Sequence, residues 1–417
     1  MARVFSRGHR FESYRFCQRN VAQLVRASIS QKSLRSHHLQ IRYHYYSTAV
    51  AITIAITITE VPYEGCGSPR FITSRPFELK IENINKTICI SIMIKEFKTR
   101  TGAIFSDTKN CLEYLYVGDY GKEANIKADF LGLTKEINGV IHKKVDLEDK
   151  MVVTISTQKG CPMKCKFCDC PKVDFHGNAD ISELRAEVMS AIVRSGCQHT
   201  KRFNLHLARM GEPSFNWNNI KIYLLCYLKD DVSVFMDADV IHPVFTTMLP
   251  RTLGSKTLKR IITEFCQVKN YEFRGEAGLQ LSINSTDEYQ RNDLFRGRSL
   301  SLQEISEICR DLPMPIGRKY TLNFPVTKDT ILDPAVLNEL FDKEKFIVKI
   351  TPIHETREAI SNGIQTDGGY YTYDVYKQFE QPLVKAGWDV IVFIPSVEED
   401  EDRITCGNAI LSEYKED

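Results

Sequence analysis

Cys161, Cys165 and Cys168 stand in the run GCPMKCKFC, separated first by three residues and then by two. Three thiolates at this spacing suit three corners of a [4Fe–4S] cluster and leave one iron without a protein ligand. A cluster held by four thiolates only passes electrons, whereas one with an open iron also binds and activates a cofactor. The competing chemistry is a structural zinc knuckle, with Cys170 of CDCP as fourth ligand. Zinc sites usually combine two separated Cys or His couples, and no second couple follows downstream. Ligand number and spacing favour the cluster.

Other polar residues stand at the ends of apolar runs. Gly211, Glu212 and Pro213 follow RFNLHLARM. A glycine there lets the backbone approach a ligand closely, and a carboxylate accepts from an ammonium. Cys406 in DRITCGNAI is isolated, and an isolated cysteine is most often a small buried hydrophobe. Its CGN context after a polar loop favours a reactive thiol, which needs a specific setting.

From about residue 150 the chain alternates β-branched apolar runs with amphipathic runs, the pattern of parallel strands joined by helical crossovers. MVVTIST (151–157) reads as the first strand, with the cysteine loop at its C-terminal end. DISELRAEVMSAIVRSG follows as a helix opened by Asp180 and closed by Gly196. Further strands are expected at 202–210, 240–248, 277–284, 319–326 and 345–353. Helices are expected near 216–228, 255–267, 301–311, 333–342 and 373–386. Six strand-helix units predict an α/β fold, a partial (β/α)6 barrel of TIM type, with chemistry at the C-terminal strand ends. A doubly wound sheet is the alternative that periodicity leaves open.

The 417 residues are enough for about two or three domains. Hydrophobic residues make up 43% and charged residues 26%, an ordinary globular balance. Most of the 13 cysteines are scattered singly, which together with an oxygen-sensitive cluster motif predicts a reducing, cytoplasmic setting rather than secretion. No apolar run reaches the roughly 18 residues that span a bilayer, so no membrane partner is expected. Residues 1–50 carry +8 and residues 51–92 balance, which leaves −6 for the rest of a chain whose net charge is +2. The catalytic part is therefore no general polyanion binder, and any RNA must meet a local basic patch.

Residues 1–92 read as a doubtful presequence or a gene-start artefact, with Met93 opening a more ordinary sequence. The first 50 residues are rich in Arg, Ser and His without a pattern that buries a face, and AVAITIAITIT is low-complexity and strand-prone. Residues 93–149 form a small N-terminal region, and residues 150–417 the core with the segment carrying Cys406.

The cysteine run, with aromatic Phe167 just before its last cysteine, resembles the signature of the radical S-adenosylmethionine (SAM) superfamily. Within it, GEPSFNWNN is similar to the GEP-x-x-N-x-N-N stretch of the RlmN/Cfr family of RNA adenine methylases, and the resemblance runs through most of residues 150–412. It implies a [4Fe–4S] cluster on Cys161, Cys165 and Cys168. It also implies a SAM pocket lined by Phe167, Gly211, Glu212, Thr246 in VFTTM, Ser282, Ile283 and Asn284 in LSINSTDEYQRNDL, and His354 in ITPIHE; a single polar residue in a strand is more often structural, so the last of these carry weight as an ordered set. In the family, the cysteine matching Cys406 is methylated by one SAM and carries the carbon to adenine, and a second cysteine releases the product. An RNA substrate (tRNA or rRNA) and an electron donor such as flavodoxin or ferredoxin follow as partners.

The chain departs from the family in several places. Thr154 stands where the second cysteine is found, and threonine forms no disulfide. Cys170 is the candidate replacement. Ile141 stands at the position of the family's proton-accepting carboxylate, for which Glu148 or His142 are candidate substitutes. Asn284 replaces His, Thr246 replaces Ser and His354 replaces Asn. The segment before the first strand is shorter than the family's RNA-binding domain, which favours a smaller RNA with an exposed base. Direct hydrogen abstraction from a non-RNA substrate is the rival enzymatic reading, and a non-catalytic metal-binding interaction protein the rival from another class.

Overall fold

The computed structural model describes residues 94–118, 146–366, 369–370, 373–395 and 397–411. The expectations for residues 1–92, Ile141 and His142 lie outside them. Three antiparallel strands open the described chain: β1 (Ile94–Lys98), β2 (Gly102–Asp107) and β3 (Leu112–Val117). β3 then pairs antiparallel with β4 (Met151–Thr154), so this meander continues the main sheet. Six more strands run parallel to β4: β5 (His199–His206), β6 (Asp237–Thr247), β7 (Gly278–Ser282), β8 (Tyr320–Val326), β9 (Phe346–Pro352) and β10 (Val390–Val392).

Strand order from β4 to β10 follows chain order without a reversal. A doubly wound sheet needs a reversal, so that alternative is out. With right-handed crossovers throughout, this order sends every helix to one face and leaves the other face open. The strand sequences match that asymmetry. Met151 and Val153, Phe203 and Leu205, Leu279 and Leu281, Leu322 and Phe324, and Val348 and Ile350 join one large apolar core. Their alternates Val152, Thr154, Asn204, His206, Gln280, Ser282, Asn323, Lys349 and Thr351 line a cavity. Residues from β4 and residues beyond β10 share that one cavity, so the sheet curls round it. No strand pairing joins β10 to the opposite edge among the described residues.

Five crossover helices lie close to their expected places: α1 (Ile181–Ser195), α2 (Trp217–Cys226), α4 (Ser255–Gln267), α6 (Leu302–Arg310) and α9 (Asp374–Lys385); a short α3 (Leu228–Phe235) falls between α2 and α4. α1 starts on a reciprocal cap, in which Asp180 accepts from the Glu183 amide at 2.9 Å and Glu183 accepts from the Asp180 amide at 2.9 Å. It ends at Gly196 with φ +67°, the left-handed stop that glycine adopts without strain. Short helices α5 (Glu288–Leu294), α7 (Pro334–Leu340), α8 (Arg357–Ser361) and α10 (Val397–Glu401) complete the set. β10 exceeds the six expected strands, because three residues are too few to show alternation.

Candidate active site

The curled sheet encloses a cavity of about 360 Å³ at the C-terminal strand ends, within the usual range for small-molecule sites. Cys161, Cys165, Phe167, Cys168, Gly211, Glu212, Thr246, Ser282, Asn284, His354 and Cys406 all line it. Residues some 240 positions apart in the chain thus meet in one place. Two expected site residues do not. Ile283 is fully buried among the apolar residues behind the sheet, with its amide bonded to the Asn323 carbonyl at 3.0 Å. It follows Ser282 in the chain, so the strand alternation turns it away. Cys170 packs against Met210, Ala409 and Leu411 with Cys161 and Cys168 alongside, and its thiol meets the Cys168 thiol and the Arg209 carbonyl, the latter at 3.4 Å, without lining the cavity. Glu148 is exposed and borders a different hollow, whereas Thr154 lines the cavity itself.

The cysteine loop is braced from several sides. The Lys166 amide donates to the Leu294 carbonyl at 3.0 Å, and Arg298 donates to the Pro162 carbonyl at 3.0 Å. Thr356 and Asn362, flanking α8, donate to the carbonyls of Phe167 and Lys166 at 3.1 and 2.9 Å. Phe167 meets Phe295 edge-on at 5.7 Å between centroids. Cys165 is buried beside Met248, with sulfurs 3.6 Å apart. Burial pushes the Cys161 and Cys165 thiols up, so as free thiols they stay protonated. Among the described residues no three His, Cys, Asp or Glu side chains converge on one point as a single ion requires.

The acceptor set for a cofactor lies beside the loop. Glu212 is nearly fully buried, and burial raises its carboxyl above the usual range. One carboxylate oxygen accepts from the Ser214 amide at 3.0 Å and the Thr247 hydroxyl at 2.7 Å, the other from the Met248 amide at 3.0 Å. The second oxygen keeps acceptor capacity for an ammonium. Gly211 has φ +100°, and a Cβ there would come within 2.6 Å of the Gln158 side chain, so the GEP turn needs its glycine. Asn284 also has positive φ, +64°, a region in which Asn is enriched. Its side chain is 1% exposed, and neither amide atom has a partner in the protein. Buried amides are nearly always bonded, so this one fits a ligand's donors and acceptors.

Cys406 is held at the cavity mouth by two buried carboxylates absent from the sequence expectations. Asp169 accepts from Lys172 and from the Glu358 amide, both at 2.9 Å, from the Arg357 amide at 3.3 Å and from Arg403 at 3.4 Å. Its own amide donates to the Gly407 carbonyl at 2.8 Å, which fastens the Cys406–Gly407 turn onto the cysteine loop. Gly407 is close enough that a Cβ would lie 3.6 Å from the Cys168 Cα. Glu113, reaching from β3, accepts from Arg209 Nε at 2.6 Å and from the amides of Ile410 and Leu411 at 3.2 and 2.9 Å. Arg209 in turn donates to the Arg403 carbonyl at 2.8 Å. Above the turn, Asp400 accepts from Thr405 at 2.5 Å and lies 3.0 Å from His354 Nδ1. Burial alone would raise the Asp400 carboxyl, but His354, Thr405 and Tyr370 outweigh it and hold it at about 2. Cys406 itself is exposed at the mouth; its protein surroundings push the thiol up, and Lys349 pulls against them.

A probable dual-specificity RNA methyltransferase RlmN from Petrotoga mobilis is 24% identical over 302 residues, 67% of this chain and 78% of that protein. The chain is thus similar to an RlmN enzyme over two thirds of its length. Its matches to the RlmN proteins of Anaeromyxobacter dehalogenans (28% over 182 residues, 42% of this chain) and Myxococcus xanthus (RlmN 2; 28% over 217 residues, 50% of this chain) span 44% and 53% of those relatives, about half their length. A radical SAM methyltransferase from Sphaerobacter thermophilus aligns over 93% of this chain and 86% of that one, with a TM-score of 0.48 and 14% identity. No profile of a known family matches. No helix among the described residues is long and apolar enough to cross a membrane.

Proposed function

We propose that the chain is a radical SAM methylase that carries a methyl group on Cys406 to a base in RNA. The observation that carries this reading is the docking of the Cys406–Gly407 turn onto the cysteine loop, through the 2.8 Å bond from Asp169, inside the cavity that holds the SAM-type residues. Cys161, Cys165 and Cys168 would hold a [4Fe–4S] cluster, which when bound supplies the electron that cleaves SAM. Glu212 would take the ammonium of the methionyl part, and Asn284 would use its unpartnered amide on the same ligand. Phe167 and Phe295 close the loop side against water. Asp169 and Glu113 keep the Cys406 thiol at the mouth, where a base splayed from an RNA loop would reach it at least cost. The curled sheet fits an open barrel of the radical SAM kind.

RNA as substrate rests on the names of the relatives and on the fit of a single base to the mouth. The rival reading, direct hydrogen abstraction, draws support from Thr154, which occupies the cavity without a thiol, and from Cys170, which lies outside it. Anaerobic reconstitution with SAM and a reductant should yield 5′-deoxyadenosine, and the Cys406 peptide should gain a methyl group. Turnover with an unmodified Cys406, and full activity in Cys406→Ala, would leave hydrogen abstraction.

A further inference from the structure

Beside the SAM-type residues the cavity wall is polar: Gln280 stands in register with Thr246, and Asn323 and Lys349 with Ser282. The inward positions are Asn204 and His206 on β5, Gln280 on β7, Asn323 on β8 and Lys349 on β9, with Lys150 at the start of β4. Barrel interiors of this depth are ordinarily filled by branched apolar side chains, so a polar lining is for something other than packing. Lys349 pairs in register with Asn323, one inward position below Thr351. Among the described residues it makes no ion pair or hydrogen bond, and its ammonium lies 5.5 Å from the Phe393 ring. Burial pulls its ammonium below the usual lysine range, while the Cys406 thiol acts in the opposite sense, so the two groups feel each other. Lys150 and Arg318 add positive charge nearby, and Glu399 at the rim adds a negative one. An ammonium enclosed without an ion pair is unfavourable, and an anionic ligand would relieve that. Asn204, 6% exposed, and Asn323 each keep an unpartnered amide oxygen ready to accept from a ligand.

We infer that Lys349 is the phosphate anchor of a substrate chamber beside the SAM-type residues, which takes a nucleotide with its phosphate on Lys349 and its base or ribose donors on Asn204 and Asn323. This rests on the proposed function for the identity of the nucleotide, yet the chamber and its charge stand apart from the fate of the methyl group. The phosphate has two sources, a free nucleotide or the backbone of an RNA.

The test is binding to the full chain with SAM present, by calorimetry, using adenosine, AMP and a short single-stranded oligoribonucleotide as probes. AMP should bind about tenfold or more tighter than adenosine, as expected for a charge-assisted bond. That preference should vanish in Lys349→Met and return in Lys349→Arg, with SAM affinity unaltered. If the oligoribonucleotide loses affinity in Lys349→Met as AMP does, the source is an RNA backbone; if only AMP does, it is a free nucleotide. Equal affinity for AMP and adenosine overturns the inference, as does a preference that survives Lys349→Met. So does a fall in SAM affinity, which would give Lys349 to the cofactor's carboxylate. Because Cys406 methylation is measured separately, the chamber and the methyl-carrier reading can fail independently.

Discussion

Glu113 is the sharpest place to test whether the C-terminal segment is built to position Cys406. Its carboxylate is completely buried on β3, nearly 300 residues from the thiol it serves, and it accepts from Arg209 and from the amides of Ile410 and Leu411. Glu113→Ala strips all of these donors of their acceptor and leaves the Arg209 guanidinium enclosed. Removing one member of a buried ion pair costs about 3–5 kcal/mol, and the two amides add less than their separate values because the bonds are shared. A cost of that size falls first on the weakest local unit, which is the segment 403–411 and not the apolar core. The assay is hydrogen exchange with mass spectrometry on the chain without and with Glu113→Ala. With about 3 kcal/mol lost locally, amides of 403–411 should exchange about 100-fold faster, while those of β5 to β9 keep their protection. Alkylation of Cys406 should accelerate in parallel, and Glu113→Gln, which keeps the acceptor shape, should fall between the two. Unaltered exchange in 403–411 would refute the clamp. So would loosening spread evenly over the sheet, which would make Glu113 a general core residue.

Two further outcomes follow from the site. Asp400 is held at about 2, below its usual 3.8, so its contribution is present above about pH 4 and lost as pH falls through 2, a term of about 2 kcal/mol at most. In cluster-free protein Asp400→Asn should flatten the fall of the unfolding temperature between pH 4 and 2, and an identical slope would show that the carboxylate does not carry it. Asn284→Gly removes an unpartnered buried amide and relieves φ +64°, so stability should hold or rise, yet SAM affinity should drop about tenfold. Unchanged SAM affinity would place the amide outside the cofactor site.

Much of this architecture is legible in the chain because alternation and caps are local signals. Asp180, Glu183 and Gly196 mark α1 through bonds made within a few residues, and Ser301 and Glu304 do the same for α6. The period-two runs show that Asn204, His206, Gln280, Asn323 and Lys349 oppose an apolar face, but not that this second face curls round a ligand chamber instead of meeting water. That depends on the sheet as a whole. Asp169 and Glu113 escape a reading by motif for the same reason, since their partners at 403–411 lie far away in sequence. Ile283 is the opposite case. The family resemblance draws it into the site, and strand alternation alone would have turned it toward the core. Cys170 sits two residues beyond the cluster motif, yet at the short turn that begins there its thiol lies against Cys168 and the Arg209 carbonyl and does not line the cavity.

The central claim is that Cys406 receives a methyl group at the site where the cysteine loop holds it. Mass spectrometry of the Cys406 peptide, after anaerobic incubation of the reconstituted chain with SAM labelled in its methyl group, reads this directly. The account predicts a single labelled methyl on Cys406, absent from Cys161→Ala and from chain kept without SAM. 5′-Deoxyadenosine released in the same tube with no label on Cys406 would contradict it.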